Sequence, residues 1–198
     1  MSFNPDIHHR RSIRLRNYDY SNEGAYFVTI CTWKRECLFG DIREGSMRLN
    51  DLGTVIFSSW NNLTNHYRYI ELDEFVVMPN HVHGILFIVG AAFMTPDCAT
   101  DAAQPFVVDR GAMNQGAMNQ GAMNRAPTVG EIVRGFKARC TIGINKLRQT
   151  PGYPVWQRDF FERVIRNEHE LARIRDYISS NPMKWEFDKN HPSNHNDA

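Results

Sequence analysis

The stretch VVMPNHVHGILFIV, residues 76–89, constrains the fold more than any other part of the chain. Two short apolar runs, Phe75-Val76-Val77-Met78 and Ile85-Leu86-Phe87-Ile88-Val89, flank Pro79-Asn80 and His81-Val82-His83. Both runs are rich in β-branched and aromatic residues and too short for a helix, so they read as two buried strands joined by a tight turn. Residues i and i+2 of a strand face the same side. His81 and His83 therefore sit side by side at the start of a core strand. Two neutral imidazoles on one face are half of a metal site. The same pattern also suits two histidines that cap a strand and hydrogen-bond to their neighbours.

The rest of the chain reads outward from this hairpin. Residues 24–33, GAYFVTICTW, form a first strand, aromatic and β-branched throughout. LFGDIREGSMRLN then predicts a small hairpin turning at Glu44-Gly45. Asn50 or Asp51 caps a helix running to His66, with Leu52, Val55, Ile56, Trp60 and Leu63 on its buried face. The second strand runs from Tyr69 to Met78 and the third from His81 to Val89. Thr128 with Glu131 has the form of a capping box, opening a helix to Gln149 whose stripe is Ile132, Phe136, Cys140 and Ile144. A broken fourth strand spans 155–165, with Trp156 and Phe160 read as core. Asn167 caps a last helix to Ser180, which Pro182 closes. The order predicts an α+β fold: a ferredoxin-like βαββαβ antiparallel sheet with helices on one face, plus an added C-terminal helix.

Residues 1–20 form a basic arm, with Arg10, Arg11, Arg14 and Arg16 and no acid from His8 to Arg16. Residues 21–189 make the domain. The interval 90–127 interrupts it with the tandem repeat GAMNQ-GAMNQ-GAMNR, which has no apolar period and reads as a disordered insertion. Residues 190–198 read as a disordered tail. The net charge of +1 does not by itself mark a nucleic-acid binder, so any such role rests on local basic segments. Cys31, Cys37, Cys98 and Cys140 have neither zinc-knuckle nor disulfide-framework spacing and read as free thiols of a reducing compartment. No apolar run approaches the roughly 20 residues that span a bilayer. The expectation is a cytoplasmic protein with no membrane partner.

The closing segment IRDYISSNPMKW, residues 174–185, adds a second half to the histidine pair. Tyr177 and Asn181 share a helical surface, and the proline after Asn181 pushes that residue out of helical geometry. Alone, these are a packing tyrosine and a helix terminator. With His81 and His83 they make a mixed N/O set that favours Mg²⁺ or Mn²⁺ over closed structural zinc. A tyrosine beside such an ion is a candidate nucleophile toward a phosphodiester.

PNHVHGIL, IVRGFKARCT, VWQRDFFERVIRNEHE and YISSNPMKW together resemble the single-tyrosine HUH transposases, most of all the REP-associated tyrosine transposases. The resemblance covers most of residues 24–185 apart from the insertion. It implies a ferredoxin-like core acting on single-stranded DNA beside hairpin-forming repeats, with His81 and His83 as metal ligands, Tyr177 as nucleophile and Asn181 as third ligand. It also implies a 5′-phosphotyrosine intermediate and a free 3′ hydroxyl. Many relatives carry Gln where this chain has Asn181. Arg10, Arg11, Arg14 and Arg16 are candidates for the hairpin stem, and Arg134 and Lys137 for the route to the site. The location implied is cytoplasmic, at the nucleoid, as monomer or homodimer. Two rivals stand: a hairpin-DNA-binding protein without catalysis, and a zinc hydrolase built on the histidines.

Overall fold

The computed structural model describes residues 19–89 and 127–194. The arginines of the basic arm, the GAMNQ repeat and Cys98 lie outside the described residues. The chain forms β1 (Gly24–Cys31), β2 (Gly40–Arg43), β3 (Ser46–Leu49), α1 (Asp51–Asn61), α2 (Leu63–His66), β4 (Ile70–Met78), β5 (His81–Ile88), α3 (Val129–Arg148), β6 (Phe161–Ile165) and α4 (Glu168–Ser180). The main sheet has the order β4-β5-β1-β6, antiparallel throughout. This is the ferredoxin-like arrangement, with β1 and β5 at the centre where their apolar character requires them.

Period-2 alternation divides the central strands between two cores. Tyr26, Val28 and Ile30 of β1, with Val82, Leu86 and Ile88 of β5, pack against Ile56 and Trp60 of α1 and Ile132, Phe136, Cys140 and Ile144 of α3. Ala25 and Phe27 of β1, with Ile85 of β5, face the other way against Leu171, Ile174 and Ile178 of α4. The two predicted crossover helices thus share one face, and the added helix covers the opposite one. Each fully buried apolar side chain of these cores contributes about 1.5–3 kcal/mol.

The local signals act as expected. Asn50 and Asn167 accept backbone N–H bonds from Gly53 and Glu170, and Thr128–Glu131 forms a complete capping box. The β2–β3 hairpin turns through Glu44 and Gly45, both at positive φ (51° and 70°), the backbone of a type I′ turn. The fourth strand is broken: Trp156 makes an isolated bridge to Thr32 before β6 begins. Trp156 is core, and Phe160 is partly buried against it.

Three expectations need correction. The helix expected to reach His66 is interrupted at Asn62, which caps α1 with its N–H on the Ser58 carbonyl. Asn181 is not pushed out of helical geometry by Pro182. It keeps φ −60° and ψ −42°, because the chain continues directly into a 3₁₀ helix, Pro182–Phe187, where proline fits the first turn. Residues 190–194 belong to the packed domain, not to a tail. Asn190 is buried and accepts a hydrogen bond from Arg35, and Pro192–Asn194 forms a further 3₁₀ turn.

Cys31, Cys37 and Cys140 are free. Among the described residues no helix is long and apolar enough to cross a membrane.

Candidate active site

The site lies on the α4 side of the sheet, at the end where β5 begins. Register places His83 opposite Thr29 and His81 opposite Cys31. Both imidazoles are buried. Their Nε2 atoms are 3.0 Å apart.

What orients the rings can be read from the hydrogen bonds. The Asn80 amide nitrogen donates to the carbonyls of Asn190 (2.7 Å) and Arg35 (3.1 Å). That assignment leaves its Oδ1 as an acceptor 2.9 Å from His81 Nδ1. His81 therefore carries its proton on Nδ1 and presents a lone pair at Nε2. His83 Nδ1 meets the Thr29 hydroxyl at 2.8 Å. A hydroxyl donates or accepts, so Thr29 serves either tautomer of His83. Burial pushes His81 down to about 4, with the Asp188 carboxylate opposing. Burial, together with His81, holds His83 well below the ordinary imidazole range. Both rings are neutral at neutral pH, as ligands must be.

α4 delivers the tyrosine. Leu171, Ile174 and Ile178 seat the helix on the sheet, and Arg175 ties it to Asp73 of β4 through Nε (2.8 Å) and Nη2 (2.7 Å). Tyr177 then falls on the flank facing the histidines, its ring edge-on to Phe27 and His83. Its hydroxyl is 3.3 Å from His83 Nε2. The residue is 39% exposed and opens on a cleft of about 520 Å³ that Asn181, Lys184, Phe187, Asp188 and Lys189 also line. Burial raises the Tyr177 phenol above its usual value, and the Asp188 charge adds to this. The Asn181 amide pulls the other way.

The 3₁₀ helix after Asn181 brings Asp188 back over the site. Its Trp185 is buried near the His81 ring. Ligand atoms of His81, His83 and Asp188 all lie within 4.8 Å of one another, a group that can hold a metal ion. Asp188 is 9% exposed and accepts the Asn190 N–H at 2.6 Å. The donor set fits a divalent cation on two further observations. The two imidazole Nε2 atoms, 3.0 Å apart and within hydrogen-bond reach of each other, are also close enough to share one ion. And Asn181 Oδ1 is buried with no hydrogen-bond partner.

The fold thus brings together four of the residues singled out from sequence: His81, His83, Tyr177 and Asn181. The other two described ones lie apart from them. Arg134 is exposed on α3, which covers the opposite face of the sheet. Lys137 donates to the carbonyls of Gln157 (2.8 Å), Arg158 (3.2 Å) and Asp159 (3.1 Å), bracing the loop before β6. Sequence reasoning missed Asp188, Asn80 and Thr29. Asn80 carried a signal, as a turn residue beside the histidines. Asp188 carried none, because its place depends on the 3₁₀ turn.

No family model matches the sequence. An uncharacterized protein of Haemophilus influenzae is 40% identical over 187 residues, which span 94% of this chain and 96% of that protein. The chain belongs to the family of that protein. A solved structure described as a REP-associated tyrosine transposase bound to a REP hairpin is similar to the chain at 17% identity and a TM-score of 0.49. The match covers 90% of this chain and 77% of that one.

Proposed function

We propose that the chain is a transposase of the single-tyrosine HUH kind, a metal-dependent endonuclease and strand transferase acting on single-stranded DNA at hairpin-forming repeats. The observation that carries this reading is the Tyr177 hydroxyl 3.3 Å from His83 Nε2, beside two imidazole nitrogens 3.0 Å apart. A buried pair of neutral imidazoles alone suits many sites. A half-exposed phenol in contact with it, open to a cleft, suits nucleophilic attack.

His81 and His83 would hold Mg²⁺ or Mn²⁺, with Asp188 or the unpartnered Asn181 Oδ1 as the oxygen donor. When bound, the ion supplies positive charge for the non-bridging oxygens of the scissile phosphodiester. Asn80 and Thr29 fix the ring orientations through Nδ1. Tyr177 Oη attacks phosphorus and loses its proton to cleft water. The Oη–P bond forms, the P–O3′ bond breaks, and the 3′ oxygen takes up a proton. The product is a 5′-phosphotyrosine and a free 3′ hydroxyl, which conserves the bond for rejoining. The stem of the hairpin is assigned to phosphate contacts from Arg10, Arg11, Arg14 and Arg16. The place of action is the nucleoid.

Tyr177→Phe is expected to abolish covalent attachment to a labelled single strand in Mg²⁺ or Mn²⁺ while binding persists. Attachment by the Phe variant refutes the nucleophile. Binding without nicking by the unaltered protein selects the non-catalytic DNA-binding reading. The Asp188 carboxylate also favours a second reading, a zinc hydrolase on His81, His83 and Asp188. Tightly held zinc in the purified protein, with no DNA attachment, selects that reading.

A further inference from the structure

We propose that the cleft beside Tyr177 is a subsite for a nucleobase of single-stranded DNA, with Phe187 as its stacking face and Lys184 and Lys189 as partners for the adjoining phosphates. The inference rests on the reading of the chain as a single-strand nuclease and adds to it how the strand is held.

Phe187 is 85% exposed, the most exposed of the large hydrophobic side chains among the described residues. It lines the same cleft as Tyr177, so this apolar ring lies beside the candidate nucleophile and not on a remote surface. The segment that carries it is firmly placed. Trp185 is buried, Asp188 accepts the Asn190 N–H, and the Asn190 carbonyl accepts from Asn80 in the turn before β5. The backbone that carries Phe187 is therefore held in place and is not the end of a loose tail. In a 3₁₀ helix residues i and i+3 eclipse, which puts Lys184 on the same side of the turn as Phe187.

The charges match a nucleic-acid strand. Lys184 Nζ bonds to the Ser180 hydroxyl, at 3.1 Å, and Lys189 Nζ lies 5.8 Å from the centre of the Phe161 ring. Among the described residues neither ammonium has a carboxylate in ion-pair range. The carboxylate on the cleft, Asp188, is engaged with the Asn190 N–H and faces the histidines. An aromatic face sharing one cleft with two such cations suits single strands: bases stack on the ring and phosphates meet the cations. A volume of about 520 Å³ is ample for one nucleotide.

The test uses the full chain and a fluorescein-labelled oligothymidylate, with affinity measured across a salt series and folding checked by circular dichroism. Phe187→Ala is expected to weaken binding about tenfold without changing the slope of log Kd against log salt. Phe187→Trp restores affinity, and the indole emission it adds to that of the four native tryptophans is quenched by the oligonucleotide. Lys184→Ala combined with Lys189→Ala flattens the salt slope. Unchanged affinity in Phe187→Ala overturns the subsite, as does DNA quenching in Phe187→Trp no greater than in the unaltered protein. Attachment at Tyr177 is scored in parallel. Attachment retained with Phe187-independent binding removes the subsite alone; Phe187-dependent binding without any attachment removes the nuclease reading alone.

Discussion

Replacing Asn80 by Ala probes the link between stability and the site. The side chain is fully buried and makes three hydrogen bonds: to His81 Nδ1, to the Asn190 carbonyl and to the Arg35 carbonyl. Its removal leaves two carbonyls and one imidazole N–H without partners. A buried polar group so stranded costs about 1–3 kcal/mol. His81 escapes part of this by moving its proton to Nε2, so the expected loss is about 3 kcal/mol, read as a lowered urea midpoint at unchanged m-value. The escape has a functional cost. A proton on Nε2 removes the lone pair offered to a cation, and Mn²⁺ affinity is expected to fall about 10–100-fold. Asn80→Asp separates the two effects. It loses both amide donors and therefore stability, yet it keeps an acceptor for His81 Nδ1–H. Long-range ¹⁵N–¹H spectra of the metal-free proteins read the tautomer directly. Nδ1 protonation is expected in the unaltered and Asp proteins, and Nε2 protonation in the Ala variant. A stability loss below about 1 kcal/mol in Asn80→Ala refutes the reasoning, as does Nε2 protonation in the unaltered protein.

Two further outcomes are expected. Gly84 lies between His83 and Ile85, and a Cβ there would stand 2.5 Å and 2.6 Å from Trp60 ring carbons and 3.0 Å from Phe75. Trp60 is stacked on Phe75 with ring centres 4.4 Å apart and is edge-on to Phe136, so the ring has nowhere to go. Gly84→Ala should lower the urea midpoint by the equivalent of about 1–3 kcal/mol; an unchanged midpoint means that core is looser than described. The Arg166 N–H and the Arg163 guanidinium hold the Glu170 carboxyl below its usual range. Its contribution is fully present above the ordinary carboxylate pKa and is lost as pH falls through the lowered folded value. Glu170→Gln should therefore flatten the acid limb of stability against pH and leave its shape near neutrality unchanged. An identical acid limb in the two proteins excludes the effect.

The fold was largely legible because its signals are local. The alternation along β1 and β5 assigns each side chain to one of two faces without reference to any other strand. Asn50, Thr128 and Asn167 mark helix starts within three residues of the groups they cap. The break at Asn62 was not legible, because Leu63 continues the helix's apolar spacing across it. Lys137 shows the same limit in another form. Its charge reads from sequence as a candidate for DNA, but whether a cation meets solvent or three backbone carbonyls depends on where a distant loop passes.

By itself the sequence determined the strand pair that sets two imidazoles on one face, the helix that carries Tyr177, and the expectation that the two meet. The tertiary structure decided how they meet: the 3.3 Å approach of the phenol, the tautomer that Asn80 imposes, and the return of Asp188. The division has a physical cause. Periodicity and capping are properties of a few neighbouring residues and survive in any context. A site closed by Asn80, Tyr177, Asp188 and Asn190 depends on packing α4 against the sheet and on a 3₁₀ turn after it, and no local pattern encodes the distance between them.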